Sequence, residues 1–308
     1  MTRTTIRAAL AAEMPLITPL AHDALSARLI EDAGFKAFAI GGSALLAARH
    51  AYPDIGLIGL TDMVQGIGDI AAASTLPFFA DADDGYGDVK SVARTVAAYE
   101  AIGVGGLLIE DQDRDRKQQR AEKAAAVADE AVIEAKLRTA LAARANPETF
   151  IIGRTDAYGP LGLDVAMRRA ERFLALGVDG IFIAGLKTEA DYRRVGAAFK
   201  GAFLSAAMFE GGDTPWLTPA DLGQMGFQQV SFPASLIFRA VGAMRDGLAA
   251  LRRHADGVEP LRPMAEAASV RAALDRAVRL EQWRAIEAAP SDRNRPAGSK
   301  QDRDGRMT

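Results

Sequence analysis

Cysteine is absent from this chain of 308 residues, and the absence removes several kinds of chemistry. Without thiols there is no disulfide, no thiolate-bound zinc and no cysteine nucleophile or acid. There are three histidines, His22, His50 and His254, and they share no motif. We expect His254 to lie on the surface and His22 to be structural. A cysteine-free chain fits a reducing compartment, so we expect a cytoplasmic protein.

Long apolar runs and an excess of one charge are also missing. No run reaches the length of a membrane span, and residues 1–15 lack the apolar core of a signal peptide. A net charge of -3 gives no sign of the basic surface that nucleic acid or an anionic membrane would attract. We therefore expect neither as a partner. The chain is 49% hydrophobic and 25% charged, as ordinary globular proteins are.

Short apolar runs recur along the chain, each followed by a stretch whose apolar residues have helical spacing. Such runs are typical of strands buried on both faces. The predicted strands lie at 15–23, 35–43, 76–84, 104–112, 149–157, 178–186, 201–209 and 227–235. Eight strand–helix units in roughly 250 residues predict a (β/α)8 TIM-type barrel. The alternative is a doubly wound sheet, but no G-x-G-x-x-G follows an early strand.

Three regions differ in composition, and we predict three parts of the chain from them. The catalytic barrel spans 1–255, a helical segment with an apolar stripe that includes Trp283 spans 256–288, and a tail poor in apolar residues spans 289–308. We expect the tail to be disordered. Within the barrel, the densely charged run 113–129 is either a solvated helix or a mobile lid over the site.

Carboxylates follow two neighbouring predicted strands, at the end of a barrel where chemistry takes place. Asp81 and Asp83 are two residues apart, so both could point toward the mouth of the barrel, and Glu110 ends the next strand. Hard oxygen ligands favour Mg2+, with Mn2+ as a possible substitute. The alternative is a turn in which the aspartates accept hydrogen bonds from loop amides. The presence of Glu110 at the end of the next strand favours the metal site over the turn.

Arg154 follows the strand after that, in "IIGRTDA". Its guanidinium could bind a substrate carboxylate in bidentate fashion. Alternatively, it could pair with Asp156 or Glu110 and serve as scaffolding. We favour substrate binding.

A glycine-rich turn precedes these strands in the sequence. Gly41, Gly42 and Ser43 could form an anion nest of backbone N–H groups, or simply a tight turn that requires glycine. Asp54 follows closely and could join the outer shell of the metal; its alternative role is to form a turn.

Six segments of the sequence resemble those of a known protein family and occur in the same order as in that family. They are "AHDALSARLIEDAGF", "IGGSALLAARHAYPDIG", "FADADDGYGD", "GLLIEDQ", "IIGRTDA" and "MFEGGDTPWLTPADLGQMGFQQVSFPAS". Over roughly residues 10 to 250 the chain resembles the isocitrate lyase/phosphoenolpyruvate mutase superfamily. The resemblance implies a (β/α)8 barrel that binds Mg2+ and a 2-oxo or 2-hydroxy carboxylate, with an enolate-type intermediate. It also implies homodimers or homotetramers that exchange C-terminal helices.

The resemblance also assigns roles to residues. It implies that Asp81 and Asp83 bind the metal and that Asp54 and Glu110 hold its water ligands. The expected substrate-binding residues are Gly41, Gly42, Ser43, Arg154 and Glu210, and the expected catalytic residues are Glu110, Arg154, Arg116 and Lys117.

Several family groups are replaced in this chain. Lyases of the superfamily carry K-[KR]-C-G-H in a gating loop, with the cysteine as general acid; the loop here reads "RDRKQQR", with Gln118 near the cysteine position. Arg116 or Lys117 could replace the motif lysine and neutralise a dianionic substrate. A glutamate and an asparagine of the family pattern are replaced by Ala184 and Ala207. These changes argue against efficient cleavage of isocitrate or methylisocitrate.

Three functions remain open. The first is a Mg2+-dependent carbon–carbon lyase or decarboxylase acting on a 2-hydroxy or 2-oxo dicarboxylate, such as an alkylmalate, methylisocitrate or oxaloacetate. The second is a phosphonate enzyme, either a phosphoenolpyruvate phosphonomutase or a phosphonopyruvate hydrolase. The third is a barrel that binds a carboxylate without turnover. We favour the first.

Overall fold

Eight parallel strands form the centre of the computed structural model, which describes residues 3–114 and 126–289. The strands are β1 (Leu16–Pro19), β2 (Phe38–Ile40), β3 (Phe78–Asp81), β4 (Gly106–Glu110), β5 (Phe150–Thr155), β6 (Gly180–Ile183), β7 (Phe203–Ala207) and β8 (Gln229–Phe232). Their order is β1-β8-β7-β6-β5-β4-β3-β2, and a parallel bridge between Leu20 and Ala39 joins the two end strands. The predicted (β/α)8 barrel is confirmed, and each predicted strand contains an observed one.

Helices alternate with the strands and cover the outside of the barrel. They are α1 (Ile6–Ala12), α2 (Ala24–Asp32), α3 (Gly42–His50), α4 (Leu60–Ala73), α5 (Val89–Ala101), α6 (Glu130–Ala143), α7 (Tyr158–Leu161), α8 (Leu163–Ala175), α9 (Glu189–Ala198), α10 (Pro219–Gln224) and α11 (Ser235–Ala255). Local sequence sets several of their starts. Asp23, Thr188 and Thr218 each accept a hydrogen bond from the third residue of the helix that follows, which satisfies an amide without an intrahelical partner.

The chain divides into two compact units, Met1–Leu261 and Arg262–Thr308. The first unit holds the barrel and α11. The second holds α12 (Ala267–Ala277) and α13 (Leu280–Ala288). Arg116, Lys117 and Gln118, most of the predicted lid and the tail 290–308 lie outside the described residues. In the part of the chain that is described, no helix is long and apolar enough to cross a membrane.

Aromatic rings fill the amino-terminal half of the barrel. Phe79, Phe150 and Phe203 come from β3, β5 and β7, and their ring centroids lie 5.4 to 6.4 Å apart. The strands between them contribute glycines: a Cβ on Gly106 would lie 2.5 Å from the Phe79 ring, and one on Gly180 would lie 2.4 Å from the Phe203 ring. Alternate strands thus supply bulk and space, as barrel layers do. The opposite end is left for polar residues.

Candidate functional site

Three carboxylates converge on the start of α3 at the carboxyl end of the barrel. A Cβ on Gly42 would lie 3.7 Å from Asp81 Oδ2, 3.9 Å from Asp54 Oδ2 and 3.9 Å from Asp83 Oδ1. We call Asp54, Asp81 and Asp83 the rim carboxylates. Asp81 ends β3, Asp83 lies in the loop after it and Asp54 lies in the loop after α3, and a side chain on Gly42 would contact all three carboxylates. The structure therefore brings together three of the four residues that the sequence predicted for a metal and its outer shell; the fourth, Glu110, lies beside Arg154.

The loop after β3 has a backbone that few residues adopt. Asp83 and Tyr86 have φ of 45° and 60°, and Gly85 and Gly87 between and after them also have positive φ. Non-glycine residues in this region cost roughly 1 kcal/mol or more each. Gly85 has a second reason to lack a side chain, because a Cβ there would lie 2.4 Å from Val92 Cγ2. In this conformation the Asp83 amide donates a hydrogen bond to Asp81 Oδ1 at 3.2 Å.

The buried Tyr99 and the half-buried Tyr86 hold this strained loop. The Tyr99 hydroxyl donates to the Asp81 carbonyl at 2.9 Å and lies 2.9 Å from the Tyr86 hydroxyl. Burial raises the pKa of both phenols well above their ordinary value, so they stay neutral at physiological pH. They act as hydrogen-bond supports for the carboxylate loop, a role that the sequence analysis did not assign.

Arg154 lies at the end of β5 and joins the carboxylates of three strand ends. Its Nε and Nη2 each donate to Asp156 at 2.9 Å, and Nη1 lies 2.9 Å from Glu110 Oε2 and 3.9 Å from Asp81 Oδ2. Burial would lower its pKa, but Asp156, Glu110 and Asp81 raise it well above the ordinary value. The Phe182 ring lies 5.7 Å from the guanidinium carbon. The scaffolding contacts considered for Arg154 are therefore present, and they fix its orientation at the mouth.

A second buried carboxylate supports this arrangement from below. Asp111 accepts hydrogen bonds from Thr155 Oγ1 at 2.6 Å, from the Asp156 amide at 2.8 Å and from Arg169 Nη1 at 2.9 Å. Burial raises the pKa of Asp111, although these three donors oppose the rise. Because Asp156 holds Arg154, the network from Arg169 through Asp111 fixes the residues that orient the guanidinium.

Asp84 has its own pair of cations. Lys136, on the inner face of α6, donates to Asp84 Oδ2 at 2.8 Å and to its carbonyl at 2.9 Å. Arg114 Nη1 lies 3.3 Å from Asp84 Oδ1. Asp84 is 6% exposed and Lys136 is 9% exposed, so this is a buried pair. It neutralises one carboxylate of the loop and anchors the loop to α6.

The glycine-rich turn places the first amides of α3 beside the rim carboxylates. Gly41 is the N-cap of α3, and Gly42 and Ser43 are its first residues. The first amides of a helix have no intrahelical acceptor and favour anions. A Cβ on Gly41 would lie 2.7 Å from Leu20 Cδ2, so a larger residue there would require the end of the Leu20 side chain to move. A carboxylate ligand at this helix start would be next to a cation held by the rim.

The residues at the rim fit a hard divalent cation that keeps water ligands. Among the described residues, no three acidic or histidine side chains are grouped so that they could all hold one metal ion. Three carboxylate oxygens nevertheless lie within 4 Å of one point beside Gly42. Mg2+ is commonly bound by one or two carboxylates and several waters, so this donor set suits it.

Glu210 has a different environment from the other predicted site residues. It follows β7, and its Oε2 lies 2.6 Å from Arg239 Nη1 of α11. This hydrogen bond lowers the pKa of Glu210. Its ion pair is with a helix residue, whereas Arg154 and Glu110 pair with each other at the mouth. His254 is exposed, as expected, and accepts a hydrogen bond from the Leu261 amide.

Comparison with known proteins agrees with this geometry. The family model described as phosphoenolpyruvate phosphomutase matches residues 6–252. A probable 2-methylisocitrate lyase of Corynebacterium glutamicum is 37% identical and the match covers 82% of each chain. The 2,3-dimethylmalate lyase of Eubacterium barkeri is 35% identical, covering 80% of this chain and 85% of its own. An oxaloacetate decarboxylase of Rhodopseudomonas palustris is also 35% identical, covering 74% and 80%.

Solved structures give the same result. A crystal structure of 2,3-dimethylmalate lyase superposes with a TM-score of 0.80 at 30% identity, over 92% of this chain and 96% of the other. Oxaloacetate acetylhydrolase with 3,3-difluorooxalacetate gives 0.81 at 26% identity over the same shares. Phosphonopyruvate hydrolase with oxalate and Mg2+ gives 0.75 at 28% identity, over 92% and 97%. With these matches and the site described above, the chain belongs to the phosphoenolpyruvate mutase/isocitrate lyase superfamily.

Proposed function

We propose that this protein is a Mg2+-dependent enzyme that cleaves a carbon–carbon bond of a 2-hydroxy or 2-oxo dicarboxylate through an enolate. The observation that carries the proposal is the meeting of the rim carboxylates, the start of α3 and Arg154 at one end of the barrel. The relatives named above as lyases and a decarboxylase support the reaction class. The same set of groups suits a substrate that carries a carboxylate and develops negative charge on a neighbouring oxygen.

The chain's own residues would bind and orient such a substrate. The amides of Gly42 and Ser43 at the start of α3 would receive its carboxylate. Arg154 is held in place, because Asp156 accepts two of its hydrogen bonds and Glu110 forms an ion pair with its Nη1. Its remaining N–H groups would therefore meet a substrate oxygen in a fixed direction. Such preorganised donors stabilise developing charge without having to reorient.

Asp81 and Asp83 would hold the metal directly, and Asp54 and Glu110 would hold its water ligands. A bound Mg2+, or Mn2+ in its place, supplies the positive charge that stabilises an enolate oxygen. The acidity of the site supports this assignment, since carboxylates this close repel one another unless positive charge lies among them.

The missing cysteine bears on which substrates react. Cleavage of a 2-hydroxy acid leaves a carbanionic product that must be protonated, and this chain has no cysteine to do so. Arg116 and Lys117 remain our candidates for contact with a dianionic substrate. Decarboxylation of an oxaloacetate-like acid makes the smallest demand, because the enolate can take its proton from water after CO2 departs. We therefore place such an acid first among the substrates to be tested.

A substrate panel with a matched pair of variants tests the proposal. Purified protein with Mg2+ is assayed for release of pyruvate or another 2-oxo acid from oxaloacetate, 2-alkylmalates, methylisocitrate and phosphonopyruvate. Asp83→Ala should lower turnover by at least roughly 100-fold and weaken metal binding in calorimetry. The control is Asp69→Ala, since Asp69 is an exposed aspartate on α4 that pairs with Arg49.

Two outcomes would contradict the proposal. Metal binding that is unchanged in Asp83→Ala would remove the metal assignment. Product release from phosphonopyruvate alone would replace carbon–carbon cleavage with phosphorus–carbon cleavage, the second candidate, for which the structural relative with phosphonopyruvate hydrolase activity is the supporting observation.

We further propose that the enzyme works in the cytoplasm as a homodimer or homotetramer. The helix α11 has no buried residue in the single chain and exposes Met244, Leu248 and Leu251. Apolar faces of this kind are typical of subunit contacts. Sedimentation velocity measures the assembly directly, and a monomer at micromolar concentration would contradict it.

A further inference from the structure

Arg114 connects three loops at the mouth through one guanidinium. It follows β4 by four residues, and its Nη1 lies 3.4 Å from Asp83 Oδ2 and 3.3 Å from Asp84 Oδ1. Its Nη2 donates to the Ile58 carbonyl at 2.5 Å, in the loop that also contains Asp54. The arginine thus touches one rim carboxylate directly and the neighbouring loop as well.

The position of Arg114 is fixed from both ends. On the backbone side, the amide of Asp113 donates to the Ala126 carbonyl at 2.8 Å, and Gln112 pairs with Val127. On the side-chain side, the guanidinium carbon lies 5.4 Å from the centre of the Tyr86 ring. The Arg114 side chain is 23% exposed, so water screens its charge only in part.

We propose that Arg114 is a built-in counterion of the rim, which competes with a divalent cation for Asp83 and so sets the affinity of the metal site. The inference rests on the proposed function, in that it takes Asp83 as a metal-binding residue. Asp84 has Lys136 as its nearer cation, at 2.8 Å, and Arg114 also reaches Asp83, at 3.4 Å. When a cation occupies the rim, it meets the Arg114 charge a few ångströms away.

The competition has a definite direction. Removing the arginine leaves the rim carboxylates with less positive charge, so they should bind a divalent cation more tightly. Two cationic charges this close in a partly screened site should weaken binding by roughly threefold to tenfold. If Arg114 served mainly to position Asp83, its removal would have the opposite effect. The sign of the change therefore separates a counterion from a purely structural residue.

The test is a Mn2+ titration of the full-length chain without substrate. Arg114→Met keeps most of the side-chain length and removes the charge, Arg114→Gln does the same with a polar group, and Arg114→Lys keeps the charge. Arg193→Met is the control, because Arg193 forms an exposed pair with Glu189 on α9 and its loss changes the net charge equally. Calorimetry gives the affinity, and thermal unfolding with and without Mn2+ gives a second readout.

We expect Arg114→Met and Arg114→Gln to bind Mn2+ roughly threefold to tenfold more tightly than the natural protein, because the repulsion between Arg114 and the metal is removed. Arg114→Lys and Arg193→Met should stay within about twofold of the natural protein. The metal-free Tm of the two neutral variants should fall, and their rise in Tm on adding Mn2+ should be larger. Unchanged or weaker binding in both neutral variants would overturn the inference. If the natural protein itself bound no Mn2+, the metal assignment of the proposed function would fail first and this inference with it.

Discussion

The two sides of the barrel interior satisfy their polar residues in different ways. On β3 to β5, the carboxylates Asp81, Glu110 and Asp111 are matched by two arginines, Arg154 at a strand end and Arg169 on a helix. On β7, β8 and β1, the polar groups are neutral. Gln229 bridges two hydroxyls there, donating to Thr18 Oγ1 and accepting from Ser205 Oγ.

The difference shows how much more surrounding structure a charged interior requires. The neutral bridge is complete within three adjacent strands. The charged side draws Arg169 from α8 and Lys136 from α6, because buried charges are costly unless each has a partner and hydrogen bonds. Buried charge at the barrel end therefore requires partner residues on the surrounding helices.

The largest expected effect comes from breaking the charged side. Asp111→Ala leaves Arg169 buried without its carboxylate and should lower the free energy of unfolding by about 3–5 kcal/mol in urea denaturation. Because burial itself disfavours the Asp111 charge, the double variant Asp111→Leu with Arg169→Leu should recover part of that loss. A single variant as stable as the natural protein would mean that the pair contributes nothing.

Breaking the neutral side should cost less. Gln229→Met removes two hydrogen bonds but buries no uncompensated charge, and the Thr18 hydroxyl keeps the Val230 carbonyl as an acceptor at 3.4 Å. We expect a loss of about 1–2 kcal/mol in the same urea experiment, with catalytic activity of the folded protein retained. A loss as large as that of Asp111→Ala would show that the comparison between the two sides does not hold.

The smallest expected effect is on the pH dependence of stability, and it comes from His22 on the neutral side of the barrel. His22 follows β1, and burial lowers its pKa below the ordinary 6.5, while Asp23 partly opposes the shift. The unfolded chain therefore takes up this proton at a higher pH than the folded chain. Stability should fall as the pH drops from 6.5 toward the folded pKa. His22→Gln should show a shallower fall over that window in chemical denaturation at several pH values, and identical slopes would rule the histidine out.

The architecture was predictable because each barrel strand is buried on both faces. A strand of this kind is a short apolar run, such as "LPFFA" before Asp81, and is easy to find. The closeness of Asp81, Asp83 and Glu110 was predictable for a related reason, since parallel strands bring their carboxyl ends to one rim. Arg116 and Lys117 remain predictions.

The cations that pair with the buried carboxylates were harder to predict, although the sequence pattern of their helices indicates that they are buried. Lys136 occupies the same face of α6 as Ile133 and Leu137, and Arg169 lies between Ala166 and Phe173 on α8. A cation within an apolar stripe has to meet a buried acid, but the spacing does not say which one. Arg114 gave no such signal, because its contacts depend on the strained backbone at Asp83 and on where the Ile58 loop turns.

The layer of phenylalanine rings inside the barrel has a consequence for substrate entry and product release. Phe79, Phe150 and Phe203 are buried and pack against one another in the amino-terminal half of the barrel, so we expect a ligand to reach Arg154 from the carboxyl end. Substrate would then enter and products would leave through the same opening. If the proposed function holds, a reaction that yields two fragments would release the one nearer the opening first, and the fragment bound beside α3 would then be the product that inhibits the next turnover.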